Sequence, residues 1–151
     1  MAKILVVYCS LTGNTQAGAE AVAAGAAEAG AEVIVKSAAE AQPEDLAACD
    51  AVALGSYDAF SYMGGGLKDF LDRAYHPTQA TVTGKPYAAF VTHGGGGRAI
   101  GSIEQVAQTF KLERAAESVL VKGLPDEAAR ADLQALGAKL AAAAEAGGGG
   151  A

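Results

Sequence analysis

Short, continuously apolar runs alternate along this chain with longer stretches in which apolar residues return every three or four positions. The runs cover residues 4–8, 33–35, 51–54, 87–92 and 119–121. Because each is apolar throughout rather than at every second position, the pattern predicts strands covered on both faces. Between the first two runs, residues 15–30 predict a helix whose small face is Ala19, Val22, Ala23 and Ala26 and whose stop is Gly30. Small side chains let such a helix lie close to a sheet. Leu67, Phe70, Leu71 and Ala74 fall at i, i+3, i+4 and i+7 of a further helix, and Ile100, Ile103, Ala107 and Phe110 mark another. The last helix is expected to begin near Pro125 and to run through Leu133, Leu136 and Leu140. Around residues 43–46 the signal supports only a turn or two.

This βα alternation predicts an α/β fold: a five-stranded parallel sheet, doubly wound, with helices on both faces. In such sheets ligands bind beyond the carboxyl ends of the strands, where the strand order reverses. Three segments fall at those ends: residues 10–15, 56–66 and 93–98. We expect them to converge on one crevice.

Composition narrows the class without naming a reaction. The 151 residues suit a single domain, expected over residues 1–146, with the Gly-rich residues 147–151 as a disordered tail. Although 51% of residues are apolar, no run approaches a membrane span, and residues 1–3 lead directly into a strand rather than a signal peptide. The expectation is a soluble, cytoplasmic protein. A net charge of -6 opposes binding to nucleic acid or an anionic membrane surface and is compatible with a basic partner protein. Cys9 and Cys49 lack metal-ligand spacing and read as small buried apolar residues, so no metal site is expected.

The first of the three segments carries the clearest chemistry. Ser10-Leu11-Thr12-Gly13-Asn14-Thr15 joins a strand to a helix and offers three hydroxyls and one glycine, with no Lys or Arg. A phosphate monoester fits there, because a helix start presents unpaired N–H groups and a partial positive charge. Two other phosphate motifs fail. Gly13 and Gly18 have the outer P-loop spacing, but Ala19 and Glu20 follow where Lys and Ser or Thr are needed; the dinucleotide fingerprint fails because Asn14 and Thr15 follow Gly13. The second segment, Ser56-Tyr57-Asp58-Ala59-Phe60-Ser61-Tyr62-Met63-Gly64, brings three aromatics that offer stacking faces. The third, Thr92-His93-Gly94-Gly95-Gly96-Gly97, is nearly all backbone and lets main-chain groups approach a ring edge. Together they describe a ligand with a phosphate at one end and a flat ring at the other. His93 is open between a structural role and one toward the ring, while Arg98, Lys68 and Asp69 are expected to face solvent. A phosphoacceptor signalling domain is disfavoured, since Tyr8, Cys9 and Ser56 stand where its acidic residues would be.

On these residues the whole chain resembles the flavodoxin family. Its phosphate loop for flavin mononucleotide (FMN) is similar to Ser10-Leu11-Thr12-Gly13-Asn14-Thr15; Leu54-Gly55-Ser56, Phe60, Met63 and Phe70-Leu71-Asp72-Arg73 look like the second flavin loop of the quinone-reductase branch, and Thr92-His93-Gly94-Gly95 like its third. The resemblance implies sheet order 2-1-3-4-5, bound FMN, and an electron carrier acting between redox partner proteins. An NAD(P)H:quinone oxidoreductase is the alternative. The chain departs from that branch in reading Tyr57-Asp58-Ala59-Phe60-Ser61-Tyr62 where the reductases show Pro-Thr-Arg-Phe-Gly-Asn, and it has no Trp.

Overall fold

The computed structural model describes residues 1–149. In chain order its elements are β1 (Lys3–Tyr8), α1 (Asn14–Glu28), β2 (Glu32–Ser37), α2 (Pro43–Ala48), β3 (Ala51–Ala59), β4 (Tyr62–Met63), α3 (Gly65–Val82), β5 (Pro86–His93), α4 (Ala99–Thr109), β6 (Glu113–Arg114), β7 (Val119–Lys122) and α5 (Glu127–Gly149). The parallel order β2-β1-β3-β5 is followed by an outer position that β6 and β7 share. The expected order 2-1-3-4-5 is therefore present, with its fifth strand broken. β6 pairs with Pro86 and Tyr87 at the start of β5, and β7 with the stretch from Phe90 to His93 at its end. Only the second piece is apolar, which is why sequence pattern alone finds it.

Strand alternation divides the interior into two layers. Along β5, Tyr87, Ala89 and Val91 join the core beneath α2, α3 and α4, whereas Ala88 and Phe90 join the core beneath α1 and α5. Leu133, Leu136 and Leu140 of α5 are buried in the second layer, each side chain stabilising the fold by about 1.5–3 kcal/mol. The α1 and α5 helices touch through their backbones. A methyl group on Gly25 would overlap the Gln134 carbonyl, and one on Gly137 the Val22 carbonyl, so the small face of α1 is a requirement of this crossing.

Two boundaries differ from expectation for local reasons. Asp126, not Pro125, caps α5, its carboxylate accepting the Ala129 N–H at 2.8 Å. The same helix continues through residues 147–149, while residues 150 and 151 of the expected tail lie outside the described residues. α1 ends as read: Gly30 has φ 98°, and the Ala31 N–H reaches back to the Ala26 carbonyl at 3.1 Å.

Candidate functional site

The chain leaves β1 through Cys9, whose N–H donates to the Gly55 carbonyl at 3.1 Å and keeps the segment beside β3. Ser10 then accepts the Gly13 N–H on its hydroxyl at 3.1 Å, and Gly13 turns at φ 96°, a conformation that favours glycine. α1 begins at once. No side chain caps it, and its first backbone bond runs from Ala17 N–H to the Gly13 carbonyl. The N–H groups of Asn14, Thr15 and Gln16 are thus free donors at a positive helix end. Leu11 and Thr12 are exposed above them.

Thr15 occupies a deeper level than its five neighbours. It is buried, and its hydroxyl pairs with that of Thr92 at 2.7 Å, tying α1 to the end of β5. Two hydroxyls share one hydrogen bond here, so one proton of the pair is left to donate to a further acceptor.

The second segment is largely not a loop, contrary to the sequence reading. β3 continues through Ser56 and Tyr57, which pair with Val91 and Thr92, and then through Asp58 and Ala59, which pair with Met63 and Tyr62 in a hairpin. Polar residues interrupt the apolar pattern there without interrupting the strand. The hairpin turns on Phe60 and Ser61, at φ 56° and 68°, backbone that Asn-Gly adopts readily and that costs a Phe and a Ser energy. Phe60 is fully exposed at the tip, and Tyr62 is 43% exposed beside it. Ser61 is exposed as well, Asp58 and Ala59 are half-buried, and Ser56, Met63 and Gly64 are buried. Met63 is buried, with its N–H on the Ser102 hydroxyl at 2.9 Å, and Tyr57 packs against the core below α3. Burial, followed by the neighbouring Cys9, holds the Tyr57 phenol above its ordinary pKa. The buried Ser56 hydroxyl donates to the Tyr57 carbonyl at 2.7 Å, accepts the Gly64 N–H at 2.8 Å and lies 3.4 Å from Cys9 Sγ. Gly64 has room for no side chain, because a methyl group would overlap the Tyr57 ring.

One carboxylate links this hairpin to the third segment. Asp58 accepts the Ser61 N–H at 2.8 Å on one oxygen and the Ala99 N–H, at the start of α4, at 3.0 Å on the other. Gly94, Gly95 and Gly96 are exposed, with no other atom within 4 Å of where side chains would begin. His93 lies beneath them. Its ring abuts Gly97, and its Nδ1 is buried with no hydrogen-bond partner among the described residues. Arg98 faces solvent as expected, and Lys68 and Asp69 form surface pairs with Asp72 and Arg73.

Comparison with known proteins decides the family: the flavodoxin family model matches residues 6–140. The chain belongs to the flavodoxin family. It is 38% identical over 98 residues to a flavodoxin of Aquifex aeolicus, an alignment covering 64% of this chain and 53% of that protein, so it spans about half the length of its curated relative. Among solved structures it is similar to a flavodoxin from the domain Archaea, at TM-score 0.87 and 26% identity over 95% of this chain and 99% of that one. A rubredoxin oxygen:oxidoreductase from Desulfovibrio gigas shares the fold at TM-score 0.87 and 19% identity, covering 95% of this chain but 36% of its own.

Proteins of the flavodoxin family bind FMN, and the residues present here fit that group. The uncapped first turn of α1, unaccompanied by any cationic side chain from residues 10–15, suits a phosphate monoester, and the exposed hairpin tip and glycine backbone suit a flat ring. Sequence reading missed Asp58 as the link between two loops and Ser102 as the support under Met63. Asp58 three residues before Ser61 is an Asx-type turn signal that was there to be used; nothing in the sequence marks Ser102.

Proposed function

We propose that this flavodoxin-family chain binds FMN at the carboxyl end of its sheet and carries electrons between redox partner proteins. The observation that carries the proposal is the uncapped start of α1, set beside a hairpin and a glycine loop that Asp58 ties together. In this reading the N–H groups of Asn14, Thr15 and Gln16, the hydroxyls of Ser10 and Thr12, and the spare proton of the Thr15–Thr92 pair hold the phosphate. Phe60 and Tyr62 offer the ring its apolar faces, and Gly94, Gly95 and Gly96 bring backbone groups to its edge. Ser56, Tyr57, Asp58, Met63 and Gly64 act beneath them by fixing the hairpin. Bound FMN supplies the redox chemistry; the chain orients it, excludes water from it and sets the charge around it.

The net charge of -6 makes basic partner proteins the complementary class. No helix among the described residues is long and apolar enough to cross a membrane, and we take the cytoplasm as its working compartment. Stopped-flow reduction of the FMN-loaded protein tests the role. Reduction by NADPH is expected to require a flavodoxin reductase, at a rate that falls as salt rises. Rapid direct oxidation of NADPH with a benzoquinone, at a rate indifferent to salt, would contradict the carrier and assign the quinone-reductase alternative.

A further inference from the structure

β2 closes one side of the sheet, so half of its backbone groups have no neighbouring strand. Its bonds to β1 show which half. Glu32 N–H donates to the Ala2 carbonyl at 2.8 Å and Ala38 N–H to the Tyr8 carbonyl at 2.7 Å, so the even-numbered residues face β1. Val33 and Val35 therefore direct N–H and C=O outward, whereas the Ser37 carbonyl accepts the Glu40 and Ala41 N–H groups.

Laid antiparallel against a second β2, this strand can pair only in registers that set outward residues opposite outward residues. The register centred on Ile34 opposes Val33 to Val35 twice, as doubly hydrogen-bonded pairs. It also opposes Ile34 to itself and Glu32 to Lys36 at both ends, in the closer non-bonded positions. Shifting by two residues loses the charge match: centring on Val35 sets Lys36 against Ile34, and centring on Val33 sets Glu32 against Ile34. Glu32-Val33-Ile34-Val35-Lys36 is thus self-complementary in one register.

We propose that the β2 edge docks a second copy of this chain, antiparallel and centred on Ile34, joining two sheets across a twofold axis. The surroundings suit that occupant. Val35 is 40% exposed, and beside it a groove of about 470 Å3 runs between β2 and α1, lined mainly by apolar and aromatic side chains, with Gln16 and Glu20 as its polar members. Long apolar edges are templates for pairing, and along β2 itself the charged residues are the two that the partner would match. Lys36 donates to both oxygens of Asp45 of α2, at 3.0 and 3.1 Å, so a partner's Glu32 would share its three-donor ammonium with that carboxylate; Glu32 is exposed, with no salt bridge among the described residues. None of these residues belongs to the proposed FMN site.

Sedimentation equilibrium of the full, FMN-loaded chain over a rising concentration series reads the outcome. The apparent mass is expected to climb from one chain towards two. Glu32→Lys and Lys36→Glu each place like charges opposite one another and should hold the mass at one chain, while an equimolar mixture of the two variants should recover the dimer. Val35→Pro removes only an outward N–H and should also stay monomeric. A wild-type chain that remains monomeric at millimolar concentration would overturn the proposal, as would a dimer that survives Glu32→Lys and Val35→Pro, or folded charge variants whose mixture stays monomeric.

Discussion

Thr12 and Thr15 share a motif and a side-chain chemistry, yet their hydroxyls stand at different depths. Thr12 is exposed, so Thr12→Ala should weaken FMN by about 1–3 kcal/mol, the range for a hydrogen bond to a charged group, and leave unfolding by urea unchanged. Thr15→Ala strands the Thr92 hydroxyl in the interior. It should weaken FMN and also lower stability by about 1–3 kcal/mol, measured as a shift in the urea midpoint. Equal behaviour of the two variants in both assays would contradict the assignment. Cys49 offers a test by pH. Burial is the main force raising its thiol to a pKa of about 11 from 9.0, with Lys85 opposing. Below pH 9 both states hold the proton and the group contributes nothing; between there and 11 the unfolded chain releases it and the folded chain does not, so stability falls as pH rises. Urea midpoints at pH 8 and 10.5 should fall further in the wild type than in Cys49→Ala. The anion-binding role proposed for residues 10–15 is read from residue types and from the place where strand meets helix, both of which the sequence shows. The Thr15–Thr92 pair was not legible there, since its partners lie 77 residues apart.

At the scale of elements, helices were legible where an apolar stripe repeats, as in α3 and α4. Strands were legible only where they are apolar. β3 runs on through Ser56, Tyr57 and Asp58 because β5 and β4 satisfy its backbone, a tertiary cause that no local pattern carries. The broken fifth strand is the same lesson: β6 is Glu113–Arg114, two charged residues held by backbone pairing with β5 and by an ion pair from Arg114 to Glu104 of α4 at 3.8 Å. The hairpin tip makes a prediction of its own. Phe60 and Ser61 sit at positive φ, so the double variant Phe60→Asn, Ser61→Gly should relieve strain and raise the melting temperature of the apoprotein by the equivalent of about 1–2 kcal/mol. The same change removes the exposed aromatic ring and should weaken FMN. Stabilisation with no loss of FMN affinity would show that Phe60 is strained for some other purpose.

On the scale of the whole molecule, the doubly wound sheet places the ends of β1, β3 and β5 side by side, and three hydrogen-bonded links, Thr15 to Thr92, Cys9 to Ser56 and Asp58 to Ala99, bind the segments that follow them into one rim. That convergence was legible from the βα alternation alone. The roles within it were not, because a candidate residue that supports the hairpin and one that meets a ligand look alike until their burial is known. The central claim is that α1 and the residues before it form a phosphate cradle, and titrating the apoprotein with FMN, riboflavin and FAD while following flavin fluorescence tests it directly. The account predicts that FMN binds at one per chain, more tightly than riboflavin by roughly a hundredfold or more, as several charge-assisted bonds require, and more tightly than FAD. Equal affinity for FMN and riboflavin would contradict it.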